Sequence, residues 1–306
     1  MISHMRTIAE IVHKAYRVGL AIPAFNIPYL PMMEPVVRAV IDSDSFALVA
    51  VARLEWIKFE SRDLRSVAEE FANWRNPDHV RLHLDHVPVI DEDDLQVDYL
   101  PIFREALTLG YESIMIDGSR LPFDENIRAT RQVVELAHAA WIPVEAELGA
   151  VLGHTAGPLP PYEELFASGK GFTDVGEAGQ FVYATHCDWL SVAVGNIHGA
   201  IVAGQKDQKK VEARLDLDRL KELKIAAGIP LVLHGGSGIR QENVRLAMQD
   251  GIAKINVATE IRQSYEMAFR EGGSISRAQD AVYARTRWVL EEWLGLARIQ
   301  KAVVEQ

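Results

Sequence analysis

The sequence predicts an α/β fold, a single (β/α)8 TIM barrel with a long lid loop after strand 5 and a C-terminal helical extension. Short apolar runs alternate with amphipathic stretches from end to end. Most runs lie roughly 25 to 40 residues apart, the period of a strand plus its crossover helix. No Ser/Pro-rich linker interrupts the alternation across the 306 residues, so residues 1–306 read as one domain with 261–306 as the extension. An open doubly wound sheet is the structural alternative.

The runs are GLAIPAF (19–25), FALVAVA (46–52), VRLHLDH (80–86), SIMID (113–117), IPVEAEL (142–148), WLSVAVG (189–195), IPLVLH (229–234) and IAKINV (252–257). Their near-continuous apolarity suits parallel strands buried on both faces. Between them, LPMMEPVVRAVIDS, YLPIFREALTLG, NIRATRQVVELAHAA and ENVRLAMQDG repeat apolar residues three and four apart, the pattern of a helix with one buried face. The stretch 149–175 is rich in Gly and Pro with weak periodicity and reads as a lid over the barrel mouth. After Glu260 the chain reads as helical, and its Trp and Leu residues suit either an oligomer contact or packing on the outside of the barrel.

Composition narrows the partners. A formal charge of −11 argues against nucleic acid or an anionic membrane, which call for basic patches. A small anion remains possible, because backbone N–H groups at helix N-termini can hold one. With Cys187 as the only cysteine, and with no apolar run near 20 residues or signal-peptide pattern, a cytoplasmic location is expected.

The chemistry-bearing residues gather at strand ends. His86 and His234 close their runs and His198 follows one, so neighbouring parallel strands would bring three imidazoles to one rim, the ligand set of an open catalytic zinc site. Asp85, Asp117, Glu147 and Asn256 lie at the same rim, where barrel active sites sit. Strand alternation separates Asp85 from His86 unless the strand ends there and a turn re-aims one of them. By the same alternation His83 should face away from His86. HGGSGI (234–239) leads into a helix and suits a phosphate, as does the turn after the last run, with Thr259 as its N-cap. Lys206, Lys209 and Lys210 read as a solvated loop face, and Cys187 as a small apolar group.

Laid out in this way, PAFNI, HLDH, ESIMIDGSRLPFDENI, VEAELG, VAVGNIHG, PLVLHGGSGI and AKINVATE resemble, in order, the motifs of the class II zinc-dependent ketose-bisphosphate aldolases, from about Ala21 to Glu260. The resemblance implies reversible, metal-dependent cleavage of a phosphorylated ketose to dihydroxyacetone phosphate and an aldehyde through a zinc-stabilised enediolate. It implies His86, His198 and His234 as Zn2+ ligands, Asp85 as the catalytic acid/base and Asn256 at the enediolate. Asp117 and Glu147 would stand behind the ligands or at an alternate metal position. Gly199, Gly235, Gly236, Ser237 and Thr259 would hold phosphate, and Asn26 would line the substrate pocket. A monovalent cation, Na+ or K+, and a homodimer or homotetramer also follow from it.

Four departures bear on the substrate. Val202 stands where the family often has Lys, and Ala50, Val51, Ala52 and Arg53 stand where it usually shows a Gln and a Ser. The lid acid can only be Glu163 or Glu164, and C-terminal basic residues for a far phosphate are not recognisable. Arg53 and Lys58 are candidates for a replacement anion contact. A metal-dependent sugar-phosphate epimerase or isomerase, or a non-catalytic sugar-phosphate-binding relative, are the alternative functions.

Overall fold

The computed structural model describes residues 6–151, 161–197 and 213–305. Eight strands close into a barrel in chain order: β1 (Ile22–Asn26), β2 (Ala47–Ala52), β3 (Val80–Pro88), β4 (Ser113–Asp117), β5 (Val144–Leu148), β6 (Trp189–Val192), β7 (Leu231–Leu233) and β8 (Ile252–Val257). Every neighbouring pair is parallel, β8 with β1 included. Parallel pairing requires a crossover after each strand. Helices supply them, among them Met33–Asp42, Leu64–Trp74, Tyr99–Leu109, Phe123–His138, Val175–Thr185, Leu217–Ala227 and Gln241–Gln249.

Apolar residues form a jacket between barrel and helices, including Val49, Leu82, Ile114, Val133, Phe181, Leu190 and Ile255. A second cluster fills the lower barrel interior with Ile22, Ala24, Leu48, Ala50, Trp189 and Val232. Trp189 is 1% exposed, and burying an indole of ~200 Å² at ~25 cal/mol per Å² stabilises by about 5 kcal/mol gross. The helix Ile8–Val18 closes this floor with Ile8, Ile11, Val12 and Ala15, joined by Val303 and Val304 from the chain's last helix. Thr7 and Glu10 form its capping box, and Gly19 ends it in the left-handed conformation.

The C-terminal segment packs on the barrel's outside. Helix Ile275–Trp288 buries Ala278, Val282 and Thr286, and Val289, Leu290 and Trp293 follow it into the core. Trp293 Nε1 donates to the Ile239 carbonyl at 3.1 Å, so this segment braces the turn after β7. Within the stretch expected to be one lid loop, Tyr162–Ser168 is a helix, anchored where Arg214 N donates to Tyr162 Oη at 2.6 Å. Residues 152–160 lie outside the described residues. Among the described residues no helix is long and apolar enough to cross a membrane.

Candidate active site

Above the apolar floor the barrel interior turns polar, and alternation along each strand stacks the polar groups in two levels. His83 and Asp85 on β3, Glu145 and Glu147 on β5, and Lys254 and Asn256 on β8 are pairs two residues apart, so each pair shares a face. In the lower level Lys254 Nζ lies 2.8 Å from Glu145 Oε2 and donates to Asn256 Oδ1 at 2.7 Å. His83 Nε2 stands 3.8 Å from Glu145 Oε2 and 3.6 Å from Asp85 Oδ1, while its Nδ1 meets Ser113 Oγ at 2.8 Å.

The upper level holds the residues that the sequence singles out. The β3–β4 register shifts between Leu84 and Val87, and His86 takes φ +24, a conformation that side chains other than glycine rarely adopt. This bulge re-aims His86, so Asp85 and His86 serve the same site although they are adjacent. It also corrects the reading of His83, which shares the interior with both because alternation breaks at the bulge. Lys254 and Glu145 are further site residues that the sequence reading passes over. The signal was present for both, since each is a charged residue two positions before a rim residue, Asn256 and Glu147 respectively.

His86 Nε2 and His234 Nδ1 face each other at 2.8 Å, and Asp85, His86 and His234 bring ligand atoms within 4.8 Å of one another. Behind each ring stands a carboxylate: Glu145 Oε1 lies 2.7 Å from His234 Nε2, and Asp117 Oδ2 lies 3.2 Å from His86 Nδ1. Imidazole on one side and carboxylate on the other is the arrangement that orients a histidine toward a metal. The donor set therefore fits a divalent cation. A second group, His86, Asp117 and Glu147, also brings ligand atoms within 4.8 Å of one another. His198 and Gly199 lie outside the described residues, as do Val202 and Lys206, Lys209 and Lys210.

Electrostatics follows from the crowding. Burial opposes charge on His86, but Asp85, Asp117 and Glu147 outweigh it and raise the ring to about 10. Burial, with the neighbouring His86 charge, pushes His234 down to about 4. The carboxyl of Asp85 is held well below its usual range because His86, His83 and Lys254 overcome the cost of burial. Glu145 and Asp117 fall to about 2 against the same cost, the first through Lys254 and the second through His86 and Ser119. Glu147 goes the other way, raised by burial and by Asp117.

Asp85 Oδ2 accepts two amides, Asn26 Nδ2 at 2.8 Å and Asn256 Nδ2 at 3.0 Å, and among the described residues Oδ1 makes no hydrogen bond. Lys254, by donating to Asn256 Oδ1, fixes which way that amide faces. Asn196 Nδ2 donates to the His234 carbonyl at 3.0 Å and ties β7 to the loop after β6. In the turn after β7, Gly235 has φ +63, and a Cβ on Gly236 would lie 2.8 Å from Ile255 Cγ2 and 3.0 Å from the Asn256 carbonyl. Only glycine lets the turn lie this close to β8, and Ser237 is buried within it.

Thr259 is the first residue of helix Thr259–Gly272, and Ala258 holds the N-cap position expected for Thr259. Glu163 pairs with Arg214 and Glu164 is exposed, so neither is among the groups gathered around the histidines. Arg53 pairs with Asp91 at 3.2 Å and Lys58 with Asp93, which commits both candidate anion contacts to carboxylates of the loop after β3.

A family profile described as class-II fructose-bisphosphate aldolase matches residues 6–305. The Escherichia coli K12 protein YdjI, described as uncharacterized, is 41% identical over 185 residues, which is 60% of this chain and 61% of that protein's length. The match thus spans less than two thirds of that relative. A crystal structure described as the YdjI aldolase from Escherichia coli K12 has a TM-score of 0.74 at 27% identity, over 96% of this chain and 98% of that one. A fructose-bisphosphate aldolase from Campylobacter jejuni has a TM-score of 0.70 at 18% identity over 94% of each chain, a likeness of fold.

Proposed function

The chain belongs to the class II fructose-bisphosphate aldolase family, and from that premise we propose that it is a zinc-dependent aldolase. It reversibly cleaves a phosphorylated ketose, a ketose bisphosphate or ketose 1-phosphate, to dihydroxyacetone phosphate and an aldehyde. The observation that carries the reading is the meeting of His86 Nε2 and His234 Nδ1, with Asp85 beside them and a carboxylate behind each ring. Together with His198, these histidines would hold the ion. When bound, zinc supplies Lewis acidity to the ketone and neighbouring hydroxyl oxygens, which stabilises the enediolate.

Asp85 takes the proton of the C4 hydroxyl as the C3–C4 bond breaks. The bonding pair stays with the C3 fragment as the enediolate, and C4 departs as the aldehyde carbonyl. Condensation returns the proton from Asp85 to the new hydroxyl. Asn26 and Asn256 keep the Asp85 carboxylate in one orientation, and the lowering of its pKa keeps it ionised. Gly235, Gly236, Ser237 and Thr259, with Gly199, hold the phosphate of the dihydroxyacetone phosphate half through backbone N–H groups at the β7 and β8 rims. A monovalent cation near that phosphate, a homodimer or homotetramer, and a cytoplasmic location belong to the same reading.

The test is Asp85→Ala in the zinc-loaded protein. It should keep its zinc and lose cleavage by about 10²- to 10⁴-fold, the range that general acid–base catalysis supplies. Cleavage at the wild-type rate overturns the assignment of the proton to Asp85.

A further inference from the structure

Lys254 is fully buried, and the chemistry proposed above makes no use of it. It lies on β8 two residues before Asn256, so both side chains face the barrel interior one level apart. Its Nζ donates to Asn256 Oδ1 at 2.7 Å, and Asn256 Nδ2 in turn donates to Asp85 Oδ2 at 3.0 Å. A lysine ammonium only donates and an ionised carboxylate only accepts. An asparagine amide between them therefore has one orientation that satisfies both ends, its oxygen toward Lys254 and its nitrogen toward Asp85. Turned over, it would set donor against donor and acceptor against acceptor in a buried place.

The ion pair beneath reaches the histidines as well. Glu145 stands 2.8 Å from Lys254 Nζ through Oε2 and 2.7 Å from His234 Nε2 through Oε1. One arm of the pair thus ends at the His234 ring, and the other runs through Asn256 to Asp85. All five residues are buried, where a made hydrogen bond is strong and an unmade one is costly. Lys254 Nζ lies 3.9 Å from Asp85 Oδ1, too far for a hydrogen bond, so the bonded route from Lys254 to Asp85 is the amide.

We propose that Lys254 is a positioning residue for making and breaking the carbon–carbon bond: it acts on Asp85 through the Asn256 amide, held in place by the carboxylate that also orients His234. This rests on the aldolase reading above and gives a part in it to a residue one level below the reacting groups. A direct effect of the Lys254 charge on Asp85, or a general loosening of the barrel, would not depend on Asn256.

Condensation of dihydroxyacetone phosphate with glycolaldehyde or glyceraldehyde is measured at saturating zinc, alongside the unfolding free energy of each variant and, in the wild type, solvent exchange of the dihydroxyacetone phosphate carbon proton. Lys254→Met should lower kcat about 10- to 100-fold, the cost of a lost orienting partner, and leave KM for dihydroxyacetone phosphate within about threefold. In an Asn256→Ala background the same substitution should change kcat by less than about twofold, because the amide it acts through is gone. Lys254→Met with Glu145→Gln should regain stability without regaining kcat, and it takes the place of the single variant if that one does not fold. The assignment is overturned by a wild-type kcat in Lys254→Met, by losses that multiply in the Asn256→Ala background, or by a kcat that recovers together with stability. A wild type that neither exchanges the proton nor condenses an aldehyde sinks the aldolase reading itself, and this inference with it.

Discussion

Lys254→Met should destabilise the protein by about 3–5 kcal/mol, the cost of leaving a buried ion pair without one partner. Lys254 and Glu145 are both fully buried, with Nζ 2.8 Å from Glu145 Oε2 and 3.9 Å from Asp85 Oδ1. At an effective dielectric of about 20 those separations correspond to gross attractions of ~6 and ~4 kcal/mol, most of which offsets the desolvation of the charges. Methionine fills nearly the same volume, so the loss measures charge and not a cavity. Urea unfolding gives the free energy, and an unchanged m-value shows that the unfolded state is the same. The double variant Lys254→Met, Glu145→Gln should recover about half or more of the loss, a coupling of about 2–3 kcal/mol. A single variant within about 1 kcal/mol of wild type, or strict additivity in the cycle, would refute the claim that the ion pair holds the barrel's polar layer together.

Glu145→Gln alone keeps an acceptor beside His234 Nε2 and removes the charge behind the ring, so zinc affinity should fall about 10- to 100-fold in a chelator competition. An unchanged affinity would separate Glu145 from the metal site. Asp117 and Glu145 are lowered to about 2 in the fold, from 3.8 and 4.5, so the stability they contribute is fully present above about pH 4.5 and is lost as pH falls through 2. Glu55 has the opposite sign: raised from 4.5 to about 8, it keeps its proton after the unfolded chain has released it, and stability declines across that window. Unfolding free energies between pH 4.5 and 8 should fall less steeply in Glu55→Gln than in the wild type, and an identical slope would contradict the shift.

The barrel was legible because its strands are buried on both faces and so read as continuous apolar runs. SIMID and IAKINV coincide with β4 and β8, whereas WLSVAVG overruns β6 into the rim turn and IPLVLH overruns β7 by Ile229 and Pro230 before it and His234 after it. The floor helix Ile8–Val18 has a strongly amphipathic pattern, yet nothing in its sequence states that its apolar face meets the inside of the barrel and not a helix. The site was legible at the strand ends, where His86, His234, Asp85, Asp117 and Asn256 stand out against apolar neighbours. It was less so one level down. Lys254 and Glu145 sit inside apolar runs, where a charge looks like an exception until a second strand supplies its partner.

Alternation itself misled at β3. Counting in twos from His86 sends His83 outward, but the bulge spends an extra residue at the rim and leaves His83 inside with Asp85. A bulge depends on the pairing of two strands, which no single run encodes. Arg53 and Lys58 show the same limit: their partners Asp91 and Asp93 lie beyond the end of the next strand.

The most direct test of the metal centre is X-ray absorption at the zinc edge of the zinc-loaded protein. The account predicts imidazole nitrogen ligands at about 2.0–2.1 Å from His86, His234 and His198, with a remaining oxygen position, and loss of that signature in His234→Ala. A zinc environment without imidazole, or one that His234→Ala leaves unchanged, would contradict it.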